Sequence, residues 1–538
     1  MKKSPRNEGK VKMLYSEIGR EISGHYSAAD LDADAEARIG VPGEFPFTRH
    51  IHASGNRVRP WAPSLYSGFG SAEDTNRRFR FLIDAGNGRA NVAADLPTQI
   101  GLDSDDPLAS GEVGRLGVAI DSLEDFETMF EGVRLDTTAV SMNINSTAPI
   151  FLAMLIATAK RQGVDPRKIT GTLSNDILHE YVARGTWRYE PSASLRLMAD
   201  TAEYAIKNTN AFYPFNIRSI LLHESGAHPG QEIGFTFAMA CRYLDELIGR
   251  GIDIDVAAPR ISFFFGMGLQ LLQEVSKFRA ARRLWANLIK KRYKTDTPSS
   301  LKLRVTTVAP CGSHFTAADP ELNLVRGTIG VLAGALGGVQ AMLGTTLDEA
   351  YEIPTEKTQK LALRTQQIVA LETDVCATAD PLGGSYFIEA MTDQIEQSAV
   401  DEMALVGGPE GVVAAILDGQ PQSFLSDRAY RLEQQFASGE RPKVSVNVYI
   451  SDEPNTSLEL HEADPGLERN RAEALSRLRS RRNAVVVEEA LRQVRAAAGS
   501  SENILPAMIG AVEAYATIGE ITKAMDSVFG PYQQPVSI

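Results

Sequence analysis

Short runs dense in apolar and β-branched residues recur through the middle of the chain, at Ala90–Leu96, Leu116–Ile120, Ala139–Ile144, Lys168–Leu173, Ser219–His223, Ile261–Phe265, Leu301–Ala309 and Gly337–Leu343. Between most of them lie longer stretches whose apolar residues return every three or four positions: Asp121–Glu131, Pro149–Gln162, Asp176–Arg184, Ala227–Gly249, Leu269–Lys291 and Glu321–Leu336. The first pattern predicts strands and the second predicts amphipathic helices. Their alternation is what a parallel sheet demands, because parallel neighbours need a crossover connection. Eight such units in about 250 residues suit a closed (β/α)8 TIM barrel better than an open sheet. The predicted fold class is therefore α/β, with residues 46–390 forming the barrel. Chemistry in such a barrel gathers where strands end, so the residues just after each run are the ones to read.

Both flanks read differently. Residues 1–45 are polar and charged, with one weak helical pattern near Ala28–Ile39, and read as an arm over the body or onto a partner; a disordered tail fits the first dozen equally well. From Gly43 to Gly70 the chain is rich in Pro, Gly, aromatic and Arg residues, among them Phe45, Phe47, Arg57, Arg59, Trp61, Tyr66 and Phe69. Ordering such side chains in a loop costs entropy that ligand binding usually offsets. Residues 391–538 read as a helical C-terminal segment leading towards a partner, with helical spacing at Ala429–Phe436, Leu467–Leu478, Asn483–Ala498 and Asn503–Phe529. Within it, Glu453–Pro465 is an acidic loop, and Lys443–Tyr449 alternates as a strand or edge ribbon would.

Composition narrows the class. A chain of 538 residues that is 43% hydrophobic and 23% charged is globular, large enough for a full barrel and more. Without an 18-residue apolar run or a signal-peptide core after Met1, no membrane association is expected and the predicted location is cytoplasmic. Cys241, Cys311 and Cys376 are sparse and lack metal-ligand spacing, so neither a disulfide frame nor a metal site is expected. A formal charge of −13 argues against nucleic acid as a partner.

Several motifs together carry a resemblance. Arg59-Pro-Trp61, Tyr66-Ser-Gly-Phe69, Ala94-Asp-Leu-Pro-Thr98 with Asp103-Ser-Asp105, Gly117-Val-Ala-Ile-Asp121, Asn175-Asp-Ile-Leu178, Ala258-Pro-Arg-Ile-Ser-Phe-Phe264 and Asp380-Pro-Leu-Gly-Gly-Ser-Tyr386 stand in one order along the chain. From about residue 43 to 530 it resembles the large subunit of adenosylcobalamin-dependent acyl-CoA mutases of the methylmalonyl-CoA mutase family. The resemblance implies a (β/α)8 barrel pierced by the acyl-CoA and capped by adenosylcobalamin. It also implies a radical rearrangement in which the acyl thioester group migrates to a neighbouring carbon. The cofactor supplies that chemistry, while the protein excludes water and fixes the substrate's polar ends.

By the same resemblance, Tyr66 would lie against the adenosyl group and substrate, and Arg184 would grip a substrate carboxylate, a bidentate task suited to a guanidinium. Glu224 and Glu349 match two acids at the adenosyl ribose, and Thr345 stands where an amide usually serves that ribose. Arg59, Ser174, Arg260, Ser262 and Gln340 match positions around CoA or the acyl group. Keeping Tyr66 and Arg184 together favours a dicarboxylic acyl-CoA such as methylmalonyl-CoA.

Departures matter as much. Leu221 replaces the family's usual histidine at the thioester carbonyl; His223, two residues on and on the same face of an expected strand, is the nearest substitute, or else a polar residue of the barrel rim. Thr306–Gly312 replaces a His-x-Gln-Thr-Ser-Gly-Trp run, and Ala62 and Ser64 replace larger polar residues. None of the eight histidines sits in the Asp-x-His-x-x-Gly pattern that marks the family's cobalamin-binding domain. The expected assembly is therefore a hetero-oligomer that shares adenosylcobalamin with a separate small cobalamin-binding subunit. The alternatives are a mutase with a divergent acyl substrate and a non-catalytic barrel subunit that stabilises an active homologue.

Overall fold

A computed structural model of the chain describes residues 14–23, 26–450, 458, 460, 461 and 464–533. The chain forms two compact units interleaved in sequence: residues 1–63, 219–241 and 264–461 in the first, and 64–218, 242–263 and 462–538 in the second. The first dozen residues and most of the acidic loop at 453–465 lie outside the described residues.

The second unit holds four parallel strands in sequence order, Ala90–Ala93, Val140–Asn143, Thr170–Leu173 and Ala211–Tyr213, with Ala90 opposite Val140, Val140 opposite Gly171, and Thr170 opposite Ala211. Gly171 is obligatory: at φ +141, a Cβ there would stand 1.8 Å from the Val140 carbonyl oxygen. Phe215–Ile217 pairs in parallel with the start of Ile261–Phe265, Phe215 opposite Ile261. Helix Ala148–Arg161 is buried at every position from Ala148 to Ala159, as a helix apolar all round must be. The C-terminal helices Ala484–Ala498, Leu505–Glu513 and Ile518–Phe529 share one core with these strands, where Val494, Met508 and Ile521 join Phe126 and Phe151.

In the first unit, Val305–Ala309 pairs in parallel with Ala341–Gly344, and the Ala62 amide donates to the Gln340 carbonyl at 2.9 Å. Helix Leu271–Tyr293 is buried from Gln273 through Ala286 although it carries Glu274, Lys277, Arg279, Arg282 and Arg283. Each cation is met: Lys277 by Glu232 and Glu274, Arg279 by Asp380 and Glu389, Arg283 by Asp393 and Glu396, and Arg282 by the carbonyls of Phe47, Thr48 and Gly337. The N-terminal arm is tied to the same unit, where Glu17 pairs with Arg428 and Arg441 and its amide donates to the Gln273 side chain at 2.9 Å.

Mixed α/β structure with parallel strands is as the pattern predicts, but several elements differ. Ser219–His223 is not a strand. The strand lies earlier, at Phe215–Ile217, and Ile220–Glu224 is a helical turn. Leu221 and His223 are therefore about 200° apart around a helix axis rather than on one strand face. Leu116–Ile120 contributes only bridges from Val118 to Gly70 and Ala94. Lys443–Tyr449 turns back on itself with φ +68 at Ser445, and the Asn447 side chain bonds the Lys443 amide and the Phe436 and Arg441 carbonyls. Asn503–Phe529 is two helices, parted at Tyr515 (φ +62) and restarted by the Thr517–Glu520 capping box. Between Thr170–Leu173 and Ala211–Tyr213 stands the unpredicted helix Pro191–Asn208.

Arg471, on helix Leu467–Arg481, reaches back to the end of the Val118 segment, where its guanidinium meets Asp121 at 2.5 Å and Asp125 at 2.7 Å. Burial, offset in part by Arg471, raises the Asp121 pKa. Removing the cation strands a buried carboxylate, so Arg471→Met is expected to cost about 3–5 kcal/mol of unfolding free energy. A denaturant titration showing less than about 1 kcal/mol, the scale of an exposed pair, would place the clamp at the surface.

Candidate active site

The loop after Val305–Ala309 is the natural starting point, being a strand end. It runs through Pro310 and Cys311 into a 3-10 turn, Gly312–His314. Its position is fixed by reciprocal bonds with the segment after Phe265: the Cys311 amide donates to the Met267 carbonyl at 2.9 Å, and the Met267 amide donates to Cys311 Sγ at 3.2 Å. Gly266 lies so close to the Ile220–Glu224 turn that a Cβ on it would fall 2.4 Å from His223. The two segments thereby bring His223 and His314 together, Nε2 to Nε2 at 3.3 Å.

The other nitrogen of His223, Nδ1, lies 3.5 Å from Glu232. Glu232 is buried and also takes Lys277 Nζ at 3.0 Å and the Gly266 amide at 2.8 Å. Burial works against charge on His223, but the Glu232 carboxylate outweighs it and its pKa is raised. Burial, followed by repulsion from His223, Lys443 and Arg441, holds His314 down at about 3. The two imidazoles are thus pushed apart, His223 towards its charged form and His314 towards its neutral form.

Glu224 follows His223 directly, and Glu349 follows the Ala341–Gly344 strand end. Both side chains are exposed. Even so, burial first and then the Asp348 and Glu224 carboxylates push Glu349 up to about 7. Burial and then Glu224 also drive the Cys311 thiol well up, and a Cβ on Gly312 would stand 3.1 Å from Glu349. One loop therefore borders both acids and the imidazole pair. Thr345, beside them in sequence, gives its hydroxyl to the Pro310 carbonyl. His228 is held elsewhere by Glu402, at 3.0 Å.

The remaining candidates occupy the second unit, apart from Arg59 and Gln340. Tyr66 OH lies 3.5 Å from Arg218, which also donates to Asn143, and Asn143 donates to Asn91 at 2.6 Å. The Asn175-Asp-Ile-Leu178 motif is scaffolding at the end of Thr170–Leu173: Asp176 is buried and accepts from the Arg218 amide at 2.6 Å and from Tyr243 OH at 2.6 Å. Ser174 is buried, and its Oγ has no hydrogen-bond partner among the described residues. Arg184 ends a π-helical turn, Glu180–Arg184, and donates to the buried Glu180 at 3.3 Å. Ser262 Oγ accepts from Asn216 and donates to the Phe215 carbonyl, and the Arg260 guanidinium donates to the carbonyls of Thr209, Asn210 and Phe212. In the first unit, Gln340 exchanges both ends of its amide with the backbone of Val305 and Gly338, and Arg59 is exposed. The aromatic loop is ordered by burial, since Phe47 and Trp61 are core residues.

His223, Glu224 and Glu349 are thus gathered in one place. His314, Glu232, Lys277 and Arg218 were absent from the sequence-based candidates. Only His314 carried a signal, an imidazole in a Gly-Ser-His turn just past a strand end.

The family model described as "Methylmalonyl-CoA mutase" matches residues 15–531. The chain is 37% identical over 510 residues to the 2-hydroxyisobutanoyl-CoA mutase large subunit of Aquincola tertiaricarbonis, covering 95% of this chain and 91% of that protein. It is 38% identical over 518 residues to the methylmalonyl-CoA mutase of Escherichia coli (strain K12), covering 96% of this chain and 72% of that one. An α/β protein with parallel strands and polar side chains gathered at strand ends belongs to a large class of enzymes, and these matches narrow that class to isomerases of the CoA-mutase kind. The chain belongs to the methylmalonyl-CoA mutase family, whose members depend in general on cobalamin. No described helix is long and apolar enough to cross a membrane.

Glu349 supplies a pH test. Its folded pKa is raised from 4.5 to about 7, so whatever stability the protonated acid contributes is complete below about 4.5 and is lost as pH rises through about 7. Glu349→Gln lacks this titration. Its unfolding free energy relative to wild type is expected to be higher at pH 8 than at pH 5, as read from denaturant midpoints. A difference independent of pH would mean that Glu349 titrates like a surface glutamate.

Proposed function

We propose that this chain is the large subunit of an adenosylcobalamin-dependent mutase that moves the thioester group of an acyl-CoA between neighbouring carbons, with its parallel strands closed into a (β/α)8 barrel. The observation that carries the reading is the gathering of Glu224 and Glu349 beside a strand-end imidazole pair. Two solvent-reaching carboxyls, one of them partly protonated near neutral pH, can both accept from and donate to ribose hydroxyls, so these residues fit the adenosyl group. Adenosylcobalamin, when bound, would supply the radical that starts the rearrangement. The chain's own work is to exclude water and orient the acyl group.

For the acyl group, Tyr66, Arg184 and Ser174 are the proposed contacts. Support comes from the partnerless, buried Ser174 hydroxyl and from an Arg184 guanidinium that Glu180 engages through one nitrogen only. Arg260, Ser262 and Gln340 act through the backbone they hold, and Arg59 is the exposed cation offered to CoA. We read the substrate as a dicarboxylic acyl-CoA of the methylmalonyl type. A hydroxyacyl-CoA is the second reading, supported by 37% identity to a protein named for 2-hydroxyisobutanoyl-CoA. That relative is also named a large subunit, which supports a separate small cobalamin-binding subunit as partner.

The chain alone is expected to retain adenosylcobalamin poorly on gel filtration and to retain it once a cobalamin-binding subunit is added; micromolar retention by the chain alone would count against two components. In the reconstituted pair, Arg184→Gln is expected to raise KM and lower kcat for methylmalonyl-CoA, together about 2–5 kcal/mol in kcat/KM. A wild-type pair that turns over 2-hydroxyisobutanoyl-CoA faster than methylmalonyl-CoA would overturn the dicarboxylic assignment.

A further inference from the structure

Arg218 is a strand-end cation that neither the family motifs nor the reading above has used. It is the first residue after Phe215–Ile217, and its backbone is fixed: its amide donates at 2.6 Å to the buried Asp176, which also accepts from Tyr243 OH. Its guanidinium donates to Asn143 Oδ1 and lies 3.5 Å from Tyr66 OH. Asn143 donates onward to Asn91 at 2.6 Å, so one polar chain runs from Tyr66 through Arg218 across two neighbouring parallel strands.

The face that this chain occupies is open. Along Val140–Asn143 burial alternates, with Val140 and Met142 buried and Ser141 and Asn143 partly exposed, whereas a parallel strand covered on both faces is buried throughout. The register sets Asn91, Ser141, Thr172 and Tyr213 in one row. Side chains two residues apart share a face, so Asn143 and Ser174 stand in the next row on the same face. Ser174 keeps that register, its amide donating to the Met142 carbonyl at 3.0 Å and its carbonyl accepting from the Asn216 amide at 3.1 Å. Its Oγ is buried and has no hydrogen-bond partner among the described residues. A buried hydroxyl without a partner is costly, so a ligand or water that reaches it is bound there.

We propose that Arg218 is a substrate-binding residue which, with Ser174, donates to an oxygen of the acyl group laid along this face, its thioester carbonyl or its second carboxylate. This rests on the acyl-CoA reading given above. Arginine offers no acceptor, so the ligand atom that it meets is an acceptor oxygen. A guanidinium carries five N–H groups in a fixed fork and can therefore hold Asn143 and Tyr66 and still serve a ligand. Asn143 and Asp176 fix the residue from two directions, which cuts the ordering cost that a mobile side chain pays on binding.

Calorimetric titration of the full chain without cofactor tests this. The ligands are methylmalonyl-CoA, isobutyryl-CoA, which has a methyl group in place of the second carboxylate, and free CoA, which has no acyl oxygen. Arg218→Met should weaken thioester binding about 10- to 100-fold, the scale of a hydrogen bond to a charged group, and leave free CoA within about twofold of wild type. Loss with both thioesters assigns the guanidinium to the carbonyl, and loss with methylmalonyl-CoA alone assigns it to the carboxylate. Arg218→Lys, which keeps the charge without the fork, should fall between wild type and Arg218→Met. Ser174→Ala removes a hydroxyl that holds no other described residue, so it should unfold at the wild-type denaturant midpoint and show the same ligand pattern with a loss of about 2- to 10-fold. Unchanged thioester affinity in Arg218→Met, or an equal loss for free CoA, would overturn the assignment; should Arg218→Met fail to fold, unchanged thioester affinity in Ser174→Ala does so. A wild-type chain that binds none of the three ligands would instead sink the acyl-CoA reading, and the assignment with it.

Discussion

Helix Leu271–Tyr293 can be buried only if its charges are met, and that condition organises the first unit. Its Lys277, Arg279, Arg282 and Arg283 are all buried, and an unpaired ion in such a place costs several kcal/mol. None of the partners is local except Glu274. They come from the aromatic loop (the carbonyls of Phe47 and Thr48), from helix Pro229–Gly249 (Glu232), from the Gly337 carbonyl, from the turn holding Asp380, and from helix Tyr386–Leu405 (Glu389, Asp393, Glu396). Each segment must dock in register for the helix to be satisfied. Apolar contacts alone would tolerate a slipped or rotated helix far better than this lattice of pairs does.

The same lattice extends to the imidazole pair through Glu232. Lys277 stands between Glu232 and Glu274, and Glu232 also faces His223, so each buried charge has an opposite or polar neighbour. The Glu232 carboxylate favours the charged form of His223 against its burial, while burial first and then His223, Lys443 and Arg441 favour the neutral form of His314. Glu349 shows the opposite solution. Burial, and after it the acids Asp348 and Glu224, push its carboxyl towards the protonated form. Two adjacent sites, one with counter-ions and one without, thus hold protons of different availability at one pH.

What the amino-acid pattern could show was whatever depended on local periodicity. Ile261–Phe265 was legible residue for residue because it is apolar at every position but Ser262 and buried at every position, as a parallel strand covered on both faces should be. Phe215–Ile217 was not, since Asn216 and the following Arg218 interrupt the run, while Ile220, Leu221 and Leu222 imitate a strand and instead form a helical turn. Lys443–Tyr449 alternates cleanly, yet alternation makes a strand only beside a partner, and Asn447 satisfies the local backbone first. The family positions were legible through motifs, and the charged face of helix Leu271–Tyr293 was not: a buried Arg and a surface Arg look alike until their partners, here more than 100 residues away, are known.

The departures from the family pattern then acquire a common physical reason. Leu221 cannot donate, and on a helical turn it shares a face with Glu224, three residues on, rather than with His223. Thr345 spends its hydroxyl on Pro310 and thereby holds the very loop that carries His314. The loop after Val305–Ala309 is pinned by Met267 and by Lys443 and so holds its side chains at fixed distance from the acids. A rigid loop at a strand end can carry a different side chain without moving the elements around it, so one parallel α/β scaffold can accommodate different residues at one place.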